Sequence, residues 1–347
     1  MAEANNGRTE IQNLGEFGLI DKLASKVEIR QKSTLKGIGD DAAVIAKDEK
    51  EVTLVSTDML VEGVHFDLSY VPLKHLGFKA VSVNVSDIAA MNGVPKQITV
   101  SIALTNRFSV EAVEEIYEGI YAACEAFHVD LVGGDTTSSR SGLVISVTAM
   151  GTCPKEKVAY RSGAKKGDLV CVTGDLGGAY LGLQILEREK QVYLANPDAQ
   201  PQLEKYDYIV GRQLKPEARM DVIHTLREQQ LVPTSMIDIS DGLASELMHL
   251  CKNSDVGVVV YENKIPFAEK TLEVASEEFK IPAVTCALNG GEDYELLFTV
   301  DQKDFDKVKN HPDITLIGYI QEKENGKKLV TQSEQVMDIK AQGWEHF

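Results

Sequence analysis

The chain of 347 residues carries 53 acidic and 36 basic residues, a net charge of −17, with 43% hydrophobic and 26% charged residues. The length exceeds the roughly 250 to 300 residues at which one core stops growing, so two domains are expected, and the composition sets aside disordered and membrane classes. A surface this acidic repels nucleic acid, and an anionic substrate would need bound cations as intermediaries.

The opening MAEANNGRTE is polar and has no apolar signal region, and no run of 18 apolar residues follows anywhere. Cys124, Cys153, Cys171, Cys251 and Cys286 stand singly, with no CxxC pair. A reducing, cytoplasmic setting without a membrane partner is therefore expected. A helix is predicted over about residues 11 to 27. Next comes GIGDDAAV, residues 37–44, whose GxGxxA spacing makes a turn that lets backbone amides approach phosphate. Asp40 and Asp41 occupy its middle, where phosphate would sit. Alternation in EVTLVSTDML and KQITVSIALT predicts strands, while KHLGFKAVSVNVSDIAAMNG and SVEAVEEIYEGIYAACEAF read as helices. VDLVGGDTT and GLVISVTAMGT complete a first domain, 1–153. The Gly- and Lys-rich YRSGAKKGD connects it to a second, 154–347. There LVCVTGDLGGAYLGLQIL reads as strand, glycine turn and helix, PEARMDVIHTLREQQ and DGLASELMHLC as helices, and GVVVYENKIP, DYELLFTV and ITLIGYI as strands. Residues 188–212 match no functional motif and read as a helical excursion.

Carboxylates recur where apolar strands end or glycine turns begin: GIGDD, STD (56–58), SD (86–87), GGDT (133–136), DISDG (238–242) and GGEDYEL (290–296). Strand ends are where α/β proteins assemble sites, because a rigid scaffold aims several turns into one crevice. If Asp40, Asp58, Asp87, Asp135 and Asp238 converge, each like-charged pair about 4 Å apart costs roughly 4 kcal/mol at an effective dielectric near 20. Cations must then be present. Oxygen ligands with Ser and Thr hydroxyls, and no Cys or His clustering, suit Mg²⁺, which bridges to substrate phosphates. Each motif alone has a structural alternative: Asp241 as the N-cap of the following helix, GGDT and NGGED as ordinary turns, His65 as a core histidine. Walker A, kinase catalytic-loop and DFG signatures are absent, and no βαβ acid supports a dinucleotide site.

Taken in order, GEFGLI, GIGDDAAV, STDMLVEGVHF, VNVSDIAAMNG, LVGGDTT, RSGAKKGD, VTGDLGGA, DISDGL, NGGEDYEL and GWEHF resemble the thiamine-monophosphate kinase family over nearly the whole chain. That family is similar to aminoimidazole ribonucleotide synthetase and its ATP-using relatives. The resemblance implies a two-domain α/β fold of the α+β type, with the amino-terminal sheets of two subunits pairing into a dimer barrel. It implies Mg²⁺-assisted phosphoryl transfer from ATP to thiamine monophosphate in a cleft between domains. Carried over by motif, Asp40, Ser56, Thr57, Asp58, Asp87, Asp135, Asp238 and Asp241 would hold several Mg²⁺ ions, with Asp58, Asp87 and Asp241 catalytic. Gly134, Asp135, Arg161 and Ser240 would contact ATP. His65, Glu292 and Trp344 would contact the thiamine substrate, although Trp344 could equally anchor the chain end to the core. A selenophosphate synthetase would need an amino-terminal reactive cysteine, and the first cysteine here is Cys124 in a helical stretch.

Overall fold

The computed structural model describes residues 11–198 and 200–340. The predicted first helix is shorter than its pattern, with one 3₁₀ turn before helix α1 (Gly15–Ala24). Strands β1 (Thr34–Lys36), β2 (Ala43–Ala46) and β3 (Glu51–Val61) lead to helix α2 (Leu73–Ala90), strand β4 (Val94–Leu104), helix α3 (Val110–Phe127) and strands β5 (Asp130–Ser138) and β6 (Val144–Pro154). These six strands form one sheet in the order β1-β2-β3-β6-β4-β5, in which β4 and β5 run parallel and the other pairs antiparallel.

Period-two alternation gives this sheet two faces. One carries Leu54 and Leu60 of β3, Ile98, Val100 and Ile102 of β4 and Ile145 and Val147 of β6, all buried beneath α2 and α3. Each such side chain withdrawn from water contributes about 1.5 to 3 kcal/mol. The two helices lie backbone to backbone: a Cβ at Gly77 would fall 1.9 Å from the Ile116 carbonyl oxygen, and one at Gly119 1.9 Å from that of Lys74. Val55, Thr57 and Met59 alternate onto the opposite face, where Met59 is 54% exposed.

Beyond residue 154 the elements are β7 (Leu169–Thr173), α4 (Gly178–Ala195), α5 (Asp207–Leu214), α6 (Met220–Glu228), β8 (Ser235–Asp238), α7 (Leu243–Ser254), β9 (Gly257–Tyr261), α8 (Glu269–Glu273), α9 (Ala283–Asn289), β10 (Leu296–Val300), α10 (Phe305–Val308), β11 (Ile314–Gln321), β12 (Lys327–Val330) and β13 (Val336–Asp338). A second sheet runs β13-β12-β9-β11-β7-β10-β8, antiparallel except where β12 meets β9. Its edge strand β8 packs against α2, which is buried along nearly its whole length because it lies between the two sheets. The apolar core crosses this junction. Val158, Val222, Ile223, Met236 and Phe298 pack with the residues under the first sheet.

The segment 188–212 has a structural role. Helix α4 continues to Ala195 and α5 packs back on it. Lys190 Nζ lies 2.6 Å from Asp67 Oδ2, and the Tyr70 hydroxyl donates to Glu187 Oε1 at 2.7 Å, so the excursion braces the loop after β3.

Candidate active site

Four stretches distant in sequence meet where β3, α2 and β8 come together. Alternation along β3 aims Ser56 and Asp58 at α2. The Ser56 hydroxyl donates to Asp87 Oδ2 on α2, and the Asp58 amide donates to Asn84 Oδ1 at 2.9 Å, one turn earlier on the same helix. From the second sheet, Asp238 at the end of β8 accepts from the Ser86 hydroxyl at 2.6 Å. The turn between β1 and β2 brings Asp41, whose Oδ1 accepts from Arg161 Nη2 at 2.7 Å and Nε at 3.2 Å. Asp41, Asp87 and Asp238 each offer an oxygen, all within 4.8 Å of one another, a donor set of the size that holds a cation.

The electrostatics of this cluster are unbalanced. Burial pushes the Asp87 carboxyl well above the usual carboxylate range, and the charges of Asp58, Asp238 and Asp41 push it further. Burial and the charge of Asp41 raise Asp238 to about 7 against the opposing pull of Ser86 and Arg161. Asp41 is raised by burial, which outweighs its Arg161 partner. Asp58 is raised by burial and then by the charges of Glu292 and Asp41; it lies deep among protein atoms, yet the residue keeps solvent exposure. Glu246, in the first turn of α7, is 2% exposed and accepts from the Asp241 amide at 3.0 Å. Burial and then the charge of Asp241 raise it well above the ordinary glutamate value.

Beside the cluster lies a cleft of about 430 Å³, walled by residues 63–67 and Tyr70 from the first half and by Tyr180, Gln213, Ser240, Asp241 and Glu292 from the second. Its floor is held by backbone contact between two of the acidic motifs: the Glu292 amide donates to Ser240 O at 2.7 Å and the Tyr294 amide to Ile239 O at 2.8 Å. Gly291 has φ +68°, and a Cβ there would sit 2.5 Å from Ser240 O, so this approach needs glycine. Glu292 is ion-paired with Lys79 of α2, whose Nζ also donates to Gln213 O at 3.3 Å.

Several residues expected from the sequence are thus gathered: Ser56, Asp58, Asp87 and Asp238 in the cluster, Arg161 at its edge, and His65, Ser240, Asp241 and Glu292 along the cleft. His65 Nδ1 accepts from the Val61 amide at 3.1 Å. Asp241 is not the N-cap of α7. Gly242 takes that position. Asp40, expected as a ligand, accepts from the Arg161 amide at 2.7 Å and pairs with Lys36 at 3.0 Å, and the adjacent Asp41 stands in the cluster instead. Thr57 alternates away from Asp58 and donates to Val147 O at 3.1 Å. Gly134 and Asp135 lie on β5. The row Asp58, Val147, Val100, Gly134 spans three strand spacings, about 14 Å, and Asp135 shares a row with Met59, on the face opposite the cluster. Trp344 lies outside the described residues. Sequence reasoning missed Asp41, Lys79, Asn84 and Glu246.

Residues 39–153 match the family model described as AIR synthase related protein, N-terminal domain. The chain is 35% identical to the thiamine-monophosphate kinase of Bacillus subtilis (strain 168) over 339 residues, covering 96% of this chain and 100% of that one. It is equally 35% identical to the thiamine-monophosphate kinase of Escherichia coli (strain K12), over 96% and 98% of the two chains. The chain belongs to the thiamine-monophosphate kinase family. The solved structure of AaThiL complexed with AMPPCP and TMP superposes with a TM-score of 0.81 at 33% identity, over 98% of this chain and 99% of that one. A HypE-HypF complex, at 18% identity and a TM-score of 0.69 over 93% and 99% of the chains, shares the fold alone. The fold is therefore the two-sheet α/β arrangement that the family resemblance implied.

Proposed function

We infer that the chain phosphorylates thiamine monophosphate to thiamine diphosphate at the expense of ATP, with the carboxylate cluster and the adjoining cleft as the place of reaction. Family membership over nearly the full length supports the reaction, and so does the structural likeness to AaThiL with its ATP analogue and TMP. The observation that carries the location is the convergence of Asp41, Asp87 and Asp238, with Ser240 and Asp241, which follow Asp238, lining the cleft.

The cluster fits Mg²⁺. Asp41 Oδ2 is buried and accepts no hydrogen bond, the donors are all oxygen, and the carboxyls are raised by burial and mutual repulsion, a cost that a bound cation removes. Asp41, Asp58, Asp87 and Asp238 would hold the metal, with Asp241 at the cleft end. Magnesium bound there supplies charge neutralisation between triphosphate and acceptor phosphate. The chain's own part is positioning. Ser56 and Ser86 hold the Asp87 and Asp238 carboxylates by donating hydroxyl hydrogens, and α2 fixes the β3 end through Asn84. No general base is needed, because a phosphate monoester with second pKa about 6 is already largely ionised at neutral pH. Tyr70, Tyr180 and the carboxylate of Glu292 line a cleft suited to a cationic thiazolium.

Met59, Val55 and Val61 on the uncovered face of the first sheet support a homodimer formed through that face, which also carries Asp135. Five unpaired thiols and an ATP-consuming reaction support a cytoplasmic location.

Incubation of the purified protein with ATP, Mg²⁺ and thiamine monophosphate should yield thiamine diphosphate and ADP in equal amounts. ATP consumption that releases inorganic phosphate without a phosphorylated thiamine product would overturn the reading.

A further inference from the structure

Lys79 is 3% exposed and sits in the buried stretch of α2, whose other polar side chains besides hydroxyls are Asn84 and Asp87. A cation buried so deeply costs several kcal/mol unless it is paired, and its partner is Glu292, which is 27% exposed and faces the cleft. The pair stands against the reaction centre. The Glu292 charge bears on Asp58, and the small recess lined by Lys79 shares His65, Phe66, Tyr70 and Gln213 with the cleft wall. Other cations near the site already have partners: Arg161 with Asp41, and Lys190 with Asp67.

Thiamine monophosphate carries one cation, the thiazolium, and one anion, the phosphate. An internal ammonium–carboxylate pair beside the cleft has the same two charges in complementary form. We propose that Lys79 is a specificity residue for the acceptor: it leaves Glu292 for the substrate phosphate as Glu292 turns to the thiazolium, so that no charge is stranded when the pair opens. The exchange makes the site selective for the phosphorylated vitamin. Unphosphorylated thiamine offers Glu292 a cation but leaves Lys79 buried with nothing in place of its carboxylate, a penalty that the phosphate removes. This inference rests on the cleft being the thiamine-phosphate site.

The test compares wild type with Lys79→Met and Lys79→Arg. Lys79→Met should raise the KM for thiamine monophosphate roughly ten- to a hundredfold, the worth of a hydrogen bond to a charged group. Inhibition by unphosphorylated thiamine should be unchanged or stronger, because Glu292 is released to meet the cation, and the KM for ATP should stay within about twofold. Lys79→Arg should restore most of the preference for the phosphorylated form. Equal weakening towards both thiamine compounds would make Lys79 only a structural partner of Glu292 and overturn the proposal. If Lys79→Met does not fold, Glu292→Gln gives the reciprocal reading: freeing Lys79 should strengthen inhibition by inorganic phosphate about tenfold, and unchanged inhibition would overturn the proposal. Wild-type turnover of thiamine monophosphate tests the activity separately; without it, both the activity and this inference fall.

Discussion

Two groups of buried carboxylates lie within this fold, and they are treated in opposite ways. Where GIGDD, VNVSD and DISDG meet, Asp41, Asp87 and Asp238 crowd together with Arg161 as their nearby cation, and all three carboxyls are raised. In the EDYEL region, Glu295 is held by Arg212 at 2.8 Å, by Arg219 at 2.7 Å and by the Thr173 hydroxyl at 2.5 Å. Asp293 there accepts from the Gly177 amide at 2.7 Å, with Arg212 at 3.8 Å. The second group closes on itself and ties the glycine turn before α4 to β10. The first leaves acceptor capacity unused, and a protein maintains such self-repulsion where a ligand relieves it. Carboxylate motifs that look alike in sequence thus divide into scaffold and site according to whether the chain supplies its own counter-charge.

The largest expected effect breaks the site group. Asp87→Asn keeps an acceptor for the Ser56 hydroxyl but removes a charge that a metal would need. It should lower kcat about a thousandfold, the several kcal/mol of transition-state charge stabilisation lost with a metal ligand. The metal-free variant should melt no lower than wild type, since a repelling charge is gone. An Asp87→Asn enzyme keeping more than about a tenth of its kcat at limiting Mg²⁺ would remove Asp87 from the ligand set.

The next effect separates the groups by metal. The Asp238 carboxyl, at about 7 in the fold against 3.8 unfolded, binds its proton more tightly when folded. Its contribution to stability is therefore fully present below about pH 4 and is lost as pH rises through about 7. Burial raises Asp293 to about 7 as well, so both groups lower the melting temperature of metal-free protein over the same window. Magnesium should discriminate between them. Added Mg²⁺ should raise the melting temperature more at pH 8 than at pH 5, and Asp238→Asn should abolish that gain while leaving the slope due to Asp293. A Mg²⁺ gain that is equal at both pH values would place the metal elsewhere.

Much of this arrangement was legible in the sequence, and the gaps have physical causes. Acids at the ends of apolar strands marked Asp58 and Asp238, because alternation fixes which side of a strand a residue takes. The same alternation turns Thr57 away, a consequence that the STD motif viewed as a unit conceals. Between Asp40 and Asp41, turn geometry decides, and two adjacent aspartates carry no signal to separate them. Asp135 has the right motif on β5, three strands from β3, and strand order is set by pairings that local pattern does not specify. Lys79 does carry a signal in the sequence. LGFKAVSVNVSDIAAMNG is mostly apolar and small and holds a single cation, so that lysine is expected to be buried and paired. Glu246 and Arg212 sit on helices, and Arg219 at the start of one, whose polar residues read as solvated faces until the packing is seen.

The smallest of these effects tests the scaffold group and uses Arg212→Met. Arg212 bridges Glu295, the Asp175 carbonyl at 3.1 Å and the Asp293 carbonyl at 3.2 Å, so its loss leaves two buried carboxylates short of charge and two carbonyls short of a donor. Breaking one side of a buried pair costs roughly 3 to 5 kcal/mol, and the lower end is expected because Arg219 remains on Glu295. That corresponds to a melting temperature lower by about 4 °C for a chain of this size. Activity measured well below that transition should fall less than about tenfold, because Arg212 touches the motif that carries Glu292 rather than the cluster. The signature is therefore the reverse of that for Asp87→Asn: stability falls while turnover is largely kept. A stable Arg212→Met protein with turnover lost as in Asp87→Asn would show that the two carboxylate groups act as one electrostatic unit, and the division between scaffold and site would have to be redrawn around Arg212.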